Sequence, residues 1–277
     1  MTPFLCLVIL VVSLAVGIGV MLVVRRRAPG GSHFNDGDRA AGVFGVLATG
    51  FALLLGLVVV LAFTSYDDSR SGAETEAMLV RQQNETAMLM PVAKRDALSG
   101  ELVCYSRTVV AQEWTRMEEG AATPAINPWG IALFRTIRTV NPTSPAEQAA
   151  YAKWLDQTSD REVARQARLH GSVGVIPGPL WFVLIASAAV IVAFMLLFAD
   201  SDEPWFIQAA LIGSVILVVV SSLLLIGVLD QPFSRGFGGV RPTAMAQTSK
   251  VLVEQRALVG LKAPIPCDAA GQPLATA

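Results

Sequence analysis

Ala41 to Phe63 reads AGVFGVLATGFALLLGLVVVLAF, and the chain then meets Tyr66, Asp67 and Asp68. A helix needs about 20 apolar residues to cross the hydrocarbon core of a bilayer. This run is long enough, carries no ionised side chain, and ends where charges begin. Ionised side chains are costly in hydrocarbon, so the boundary is sharp. Three further runs have the same character. Phe4 to Val24 stops at Arg25-Arg26-Arg27, Pro179 to Ala199 stops at Asp200 and Asp202, and Trp205 to Leu229 stops at Asp230. The first run is read as a retained anchor and not a cleaved leader, because its basic cluster follows the apolar stretch where a leader's would precede it.

Composition agrees. Of 277 residues, 53% are hydrophobic and only 16% charged, and the charge deficit is concentrated in the four runs. A soluble domain carries about a quarter charged residues. The expected fold class is therefore an all-α integral membrane protein with four transmembrane helices and a helical soluble domain inserted between the second and third. The expected parts are 1–63 with spans 4–24 and 41–63, a soluble domain 64–175, spans 179–199 and 205–229 within 176–229, and a tail 230–277.

Four spans put both termini, the 64–175 domain and the tail on one side. Arg25, Arg26, Arg27 and Arg39 mark the first loop as cytoplasmic. Arg70, Arg161, Arg165, Arg168, Arg235 and Arg241 oppose this count from the domain side. The arginine triplet decides for a domain and termini outside the cytoplasm. Cys104 and Cys267 then share an extracytoplasmic side, where a disulfide can form. Two unrelated thiols remain the other reading, since sequence does not report proximity. Cys6 reads as a small apolar residue of a span.

The 64–175 region is rich in Ala, Glu, Arg, Gln and Leu, which favour helix. The second span is expected to continue as a polar helix to about Met90, with Gly72 as a weak spot. A helix over 92–119 places Leu98, Leu102, Tyr105, Val109, Trp114 and Met117 on an apolar face. Asn127 with Pro128 starts the next helix. Ser144, Pro145 and Glu147 have the spacing of a capping box and start another. In the tail, 243–262 is expected to be one amphipathic helix, with Ala244, Val251, Val253 and Leu258 as its apolar contacts.

Chemistry-bearing constellations are sparse. His33 and His170 have no partner at metal-ligand spacing. Gly236-Phe237-Gly238-Gly239 is followed by no phosphate-loop lysine. Asn84-Glu85-Thr86 is a glycosylation triplet that matters only in a eukaryotic secretory setting. No enzyme, cofactor or metal site is expected, and a net charge of −1 offers nothing to nucleic acid. The spans hold no ionised residue, which argues against a proton-coupled transporter. Gln208 reads as a hydrogen-bonding residue at a span end.

Two features could serve a pore. Ala41, Gly45, Ala48, Ala52 and Gly56 recur every three or four residues and form one small-residue face. Such a face packs against another helix, in the monomer or between copies, or it lines a narrow path. Tyr66, Asp67, Asp68, Asp230, Pro232 and Phe233 stand where spans leave the membrane. They form an ordinary interface of anchors and terminating acids, or Asp67, Asp68 and Asp230 among them form an acidic ring at a pore mouth that attracts cations.

Ser65-Tyr66-Asp67, Glu113-Trp114 and Asp230-Gln231-Pro232-Phe233, in this order around two pairs of spans, resemble the bacterial bestrophin-like membrane proteins over residues 40–245. The Gly-rich stretch after Phe233 departs from that pattern. The resemblance implies a homo-oligomeric ion channel by analogy of architecture. The aromatic neck and the acidic calcium clasp of true bestrophins have no counterpart at matching positions. The partners expected are the lipid bilayer, further copies of the chain and inorganic ions, with localisation in the cell membrane as a multi-pass protein. A non-conducting scaffold or envelope sensor that binds a partner through the helical domain is the alternative.

Overall fold

The computed structural model describes residues 2–27, 36–120, 126–199 and 203–274. His33, Asp200 and Asp202 lie outside the described residues. Among the described residues the regular structure is helical, apart from one isolated bridge between Cys267 and Pro273. Nine α-helices follow in order: α1 Pro3–Arg27, α2 Gly37–Ala87, α3 Val92–Thr108, α4 Trp114–Glu118, α5 Pro128–Ile137, α6 Pro145–His170, α7 Gly178–Leu196, α8 Trp205–Leu229 and α9 Thr243–Val259. A π-helical turn, Val109–Glu113, joins α3 to α4. The α1, α2, α7 and α8 helices are long and apolar enough to cross a membrane, so the chain is an all-α multi-pass membrane protein.

The fold divides into two compact units. The first comprises Met1–Ser65, Gly174–Asp230 and Arg235–Gly238; the second comprises Tyr66–Val173, Gln231–Ser234 and Gly239–Ala277. The α2 helix runs through the sequence boundary at Ser65 without a break.

In the first unit, Met21 of α1 packs with Ile212 and Ile216 of α8. The apolar part of α2 packs through Phe51 on Ala188 and Ile191 of α7 and Val219 of α8, and through Val58 on Leu184 and Ile226. Phe44 stacks on Phe194, with ring centroids 5.8 Å apart. Large apolar side chains such as Val46 and Leu53 stay about three-quarters exposed, at 75% and 72%. In water such exposure would be unfavourable; in a bilayer these side chains need no protein cover.

The second unit has an ordinary globular core. Leu98, Leu102, Tyr105 and Val109 meet Leu133 and Ile137 of α5, Trp154 of α6, and Met245 and Leu252 of α9. Asn127 caps α5 by accepting from the Trp129 amide at 3.1 Å. Ser144 and Glu147 form the full capping box of α6. The weak spot expected at Gly72 is instead a point of close approach. A Cβ there would stand 2.9 Å from the Ala164 carbonyl and the Arg168 amide nitrogen, so α2 and α6 touch backbone to backbone. Of the apolar contacts expected for α9, Ala244 and Val253 pack against this core, while the fully buried stripe lies beside them and Leu258 is off it. Met245, Thr248, Leu252 and Arg256 are buried, Ala244, Val251 and Val253 are half-buried, and Leu258 is 87% exposed. The inward stripe is half polar, and a reading that tracks only apolar residues misplaces it.

Candidate pore face and a buried ion cluster

The small residues of α2 are left largely uncovered within the chain. Gly45, Ala52 and Gly56 are exposed, and Ala48 is half-buried where it joins the contact with α7 and α8. Open space lies where a Cβ would stand on Gly45 or Gly56. Thr49, on the same side of the helix, donates its hydroxyl to the Gly45 carbonyl at 2.8 Å. That bond occupies its donor and leaves the hydroxyl oxygen as an acceptor. Close helix packing is the usual use of small residues, and among the described residues only Ala48 of this stretch is used in that way, toward α7 and α8.

The junction residues fall into two kinds. Asp67 and Asp68 are exposed on α2 and Tyr66 is half-buried. Asp230 is committed to its own unit. One carboxylate oxygen accepts from the amides of Val175 at 2.7 Å and Ile176 at 2.9 Å, and the other from the Trp181 indole at 3.3 Å. Asp230 therefore ties the end of α8 to the turn that starts α7. Phe233 is buried edge-on against Trp114, with centroids 5.3 Å apart, and Pro232 is buried beside it in sequence. Gln208, also buried, accepts from the Arg25 guanidinium at 3.3 Å.

The second unit buries charge. Arg168 is fully enclosed and bridges two carboxylates. Its Nε and Nη2 donate to Glu76 at 2.5 and 3.2 Å, and Nη2 also donates to Glu113 at 2.6 Å. Glu113 accepts further from Arg165 at 3.3 Å and from the Asn127 amide at 3.0 Å. Tyr105 donates its hydroxyl to Glu76 at 2.6 Å, and the Arg161 guanidinium lies 4.8 Å from the centre of the Tyr105 ring. Arg161 also donates to the Gln83 side-chain amide oxygen. Two carboxylates thus face Arg168 and Arg165, and Arg161 is a third buried cation beside them, held by Gln83 and the Tyr105 ring.

Burial pushes the Glu113 carboxyl up. Arg168 and Arg165, with hydrogen bonds from Arg168 and Asn127, more than reverse this and leave it below the ordinary carboxylate range. Burial also works against the Arg168 guanidinium, but Glu76 and Glu113 hold its proton more firmly than in water. Tyr105 is pushed well above its ordinary value by burial and by the negative Glu76. Each group is locked in the protonation state it has at neutral pH. Among the described residues no group of three or more His, Cys, Asp or Glu is placed to hold a metal ion.

A strap from the tail covers the outside of the π-turn. Cys104 of α3 is bonded to Cys267, with their Cα atoms 5.8 Å apart. Arg107 donates to the carbonyls of Cys267 and Asp268, and Gln112 donates to that of Ala270. The Gly271 carbonyl accepts from Thr108 at 3.1 Å and from the Trp129 indole at 2.7 Å. Gly271 has φ +78° and sits against Thr108 where a Cβ would collide, so only glycine fits.

The Bestrophin-like domain profile matches residues 11–245, most of the chain. This chain belongs to the bestrophin-like family. Crystal structures of a bacterial bestrophin homolog from Klebsiella pneumoniae share the fold of this bestrophin-like chain. One, solved by zinc phasing, superposes with a TM-score of 0.70 at 12% identity, over 89% of this chain and 98% of that one. A point mutant of the same homolog gives 0.71 at 12% identity, over 90% and 99%. No curated protein matches the sequence.

In the bestrophin-like chain, Glu113-Trp114 proves central to the second unit. Glu113 ends the π-turn and anchors the ion cluster, and Trp114 starts α4 against Phe233. Sequence reasoning counted Arg161, Arg165 and Arg168 as membrane-flanking charges and missed the cluster. A signal was present: positions 161, 165 and 168 share one face of α6 with Trp154, Gln157 and Ala164, which are all buried. Asn84 is also buried, 1% exposed, and bonded to Ser99 and Gln255. Its triplet is therefore not open to a glycan.

Proposed function

We propose that this chain assembles into a homo-oligomeric ion channel in which α2 lines the path. The observation that carries the reading is the uncovered small-residue face of α2, Gly45, Ala52 and Gly56, on a helix whose other side is packed by Phe51 and Val58. Family membership and the shared fold of a bacterial bestrophin homolog support it. A path lined by small and apolar groups gates by width and wetting, with no fixed charge needed inside. On the charge rule, the arginine triplet at 25–27 favours a placement of segment 64–175 and both termini away from the cytoplasm.

The purified chain in liposomes should pass ions down a gradient, and imaging in detergent should find a closed ring with an axial opening along 41–63. Ala52→Trp places an indole on the exposed face and should cut flux by about tenfold or more at unchanged subunit number. Spans packed solid in a monomer or dimer, or flux unaffected by the substitution, would overturn the reading.

A further inference from the structure

The tail strap and the π-turn beneath it hold each other, and one covalent bond closes the pair. We propose that the Cys104–Cys267 bond is a reversible redox latch: closed, it keeps the strap on the π-turn, and its reduction by a dithiol releases both. The latch lies within the second unit and is independent of conduction.

The π-turn is the element with a second arrangement open to it. The Trp114 amide bonds the Val109 carbonyl, five residues back, where an α-helix would use the carbonyl four residues back. Such turns are rare because α-helical bonding is the rule, and they occur mostly where surrounding groups need them. A return to α-helical bonding would turn everything after the site by about 100° relative to α3. That rotation would carry Trp114 away from Phe233 and Glu113 away from Arg168. Two sets of contacts oppose it. On the inner side, Glu113 is held by Arg168, Arg165 and Asn127. On the outer side, the strap accepts from Thr108, just before the turn, and from Gln112 within it.

The strap can lift as one piece. Of residues 267–274, only Cys267 and Gly271 are buried. The Gly271 carbonyl is anchored by Thr108 and the Trp129 indole, and Cys267 by its bond to Cys104. Between these anchors the chain keeps its own shape. The Asp268 carboxylate accepts from the amides of Ala270 at 2.9 Å and Gln272 at 2.8 Å, and the Asp268 amide donates to the Gln272 carbonyl at 3.0 Å. A segment with so little buried surface opens locally at low cost once its covalent tie is cut. The sulfurs themselves are covered, Cys104 fully and Cys267 to 4% exposure, so the Gly271 end lifts before a thiolate reaches them. Arg107 Nη1 stands 3.9 Å from the Cys267 sulfur. A guanidinium there favours the thiolate through which exchange runs in both directions.

The exchange is a two-electron, two-proton transfer. A thiolate of the dithiol attacks one sulfur, the S–S bond breaks as a mixed disulfide forms, and the second thiol of the reductant displaces the remaining cysteine. The products are the thiols of Cys104 and Cys267 and the reductant's own disulfide.

The test uses the full chain in detergent. Reduced and oxidised dithiothreitol at graded ratios set the redox state, and hydrogen exchange is followed by mass spectrometry. On reduction, amides in 109–114 and 267–274 should exchange about tenfold faster or more, while 92–103 and α6 keep their protection. The oxidised reagent should restore the first pattern. Cys104→Ser with Cys267→Ser should show the reduced pattern without reagent and not respond to it, which separates loss of this bond from other effects of a dithiol. The wild-type titration decides by itself if the double variant does not fold. A strap that loosens while 109–114 is unchanged, exchange that rises equally across the second unit, or a bond reduced only in denaturant would overturn the latch.

Discussion

Glu113 shows how one residue sets the chemistry of its surroundings. Its carboxylate faces Arg168 and Arg165, and Arg168 shares its other side with Glu76. Removing one partner of a buried pair leaves an uncompensated charge, which costs about 3–5 kcal/mol. Glu113→Gln keeps the shape and the Asn127 contact but loses the charge. It should lower stability by about 3 kcal/mol, read as a shift in the denaturation midpoint of the detergent-solubilised chain. The pH dependence follows from the lowered folded value of Glu113. Its stabilisation is complete above the ordinary carboxylate value of 4.5 and is lost as pH falls through the lower folded value. Wild type should therefore lose melting temperature steeply below that point, and Glu113→Gln should lose it less steeply. Equal slopes for the two proteins would mean that Glu113 is not the group that titrates.

At the scale of elements, helix starts were legible and helix faces less so. Asn127 and the Ser144–Glu147 box announce α5 and α6 because capping is local chemistry, written within four residues. The apolar runs announce α1, α2, α7 and α8 because hydrocarbon tolerates nothing else. The inward stripes of α6 and α9 were hidden, because Arg161, Arg165, Arg168 and Arg256 are residue types that composition places outside. Partners distant in sequence, Glu76 and Glu113 for Arg168 and Glu113 for Arg165, offset much of the cost of that burial. The π-turn at Val109–Glu113 has no sequence signature of its own; it is visible only in how Glu113 and Trp114 are aimed. The tail strap was legible only as an alternative, a bond between Cys104 and Cys267 or two separate thiols. The bond closes 163 residues, and chain entropy sets its stabilisation at about 5 kcal/mol as an upper value. Cys104→Ala with Cys267→Ala should lose a substantial part of that, and should leave residues near 267–274 open to protease while α3 stays protected. Unchanged proteolysis of the strap would show that its hydrogen bonds to Arg107, Gln112 and Trp129 hold it unaided.

At the scale of the whole molecule the open matter is which side of the membrane holds the second unit, and two independent arguments converge on it. The first is charge. Arg25, Arg26, Arg27 and Arg39 lie between the first two spans, and such short basic loops stay in the cytoplasm. The opposing count loses weight now that Arg161, Arg165 and Arg168 are buried and ion-paired or stacked, since Arg168 and Arg165 answer Glu76 and Glu113. The second is redox. A bond between Cys104 and Cys267 persists in an oxidising compartment and is uncommon in a reducing cytosol. We therefore expect a phosphatase reporter fused after Ala277 to be active in intact bacteria and a fluorescent protein at the same place to stay dark. Alkylation before lysis should find Cys104 and Cys267 protected until a reductant is added. A bright C-terminal fluorescent fusion, together with free Cys104 and Cys267 thiols, would put the unit in the cytosol. The arginine triplet would then have been outweighed by Arg70, Arg235 and Arg241 on the other face, and the strap would rest on hydrogen bonds alone.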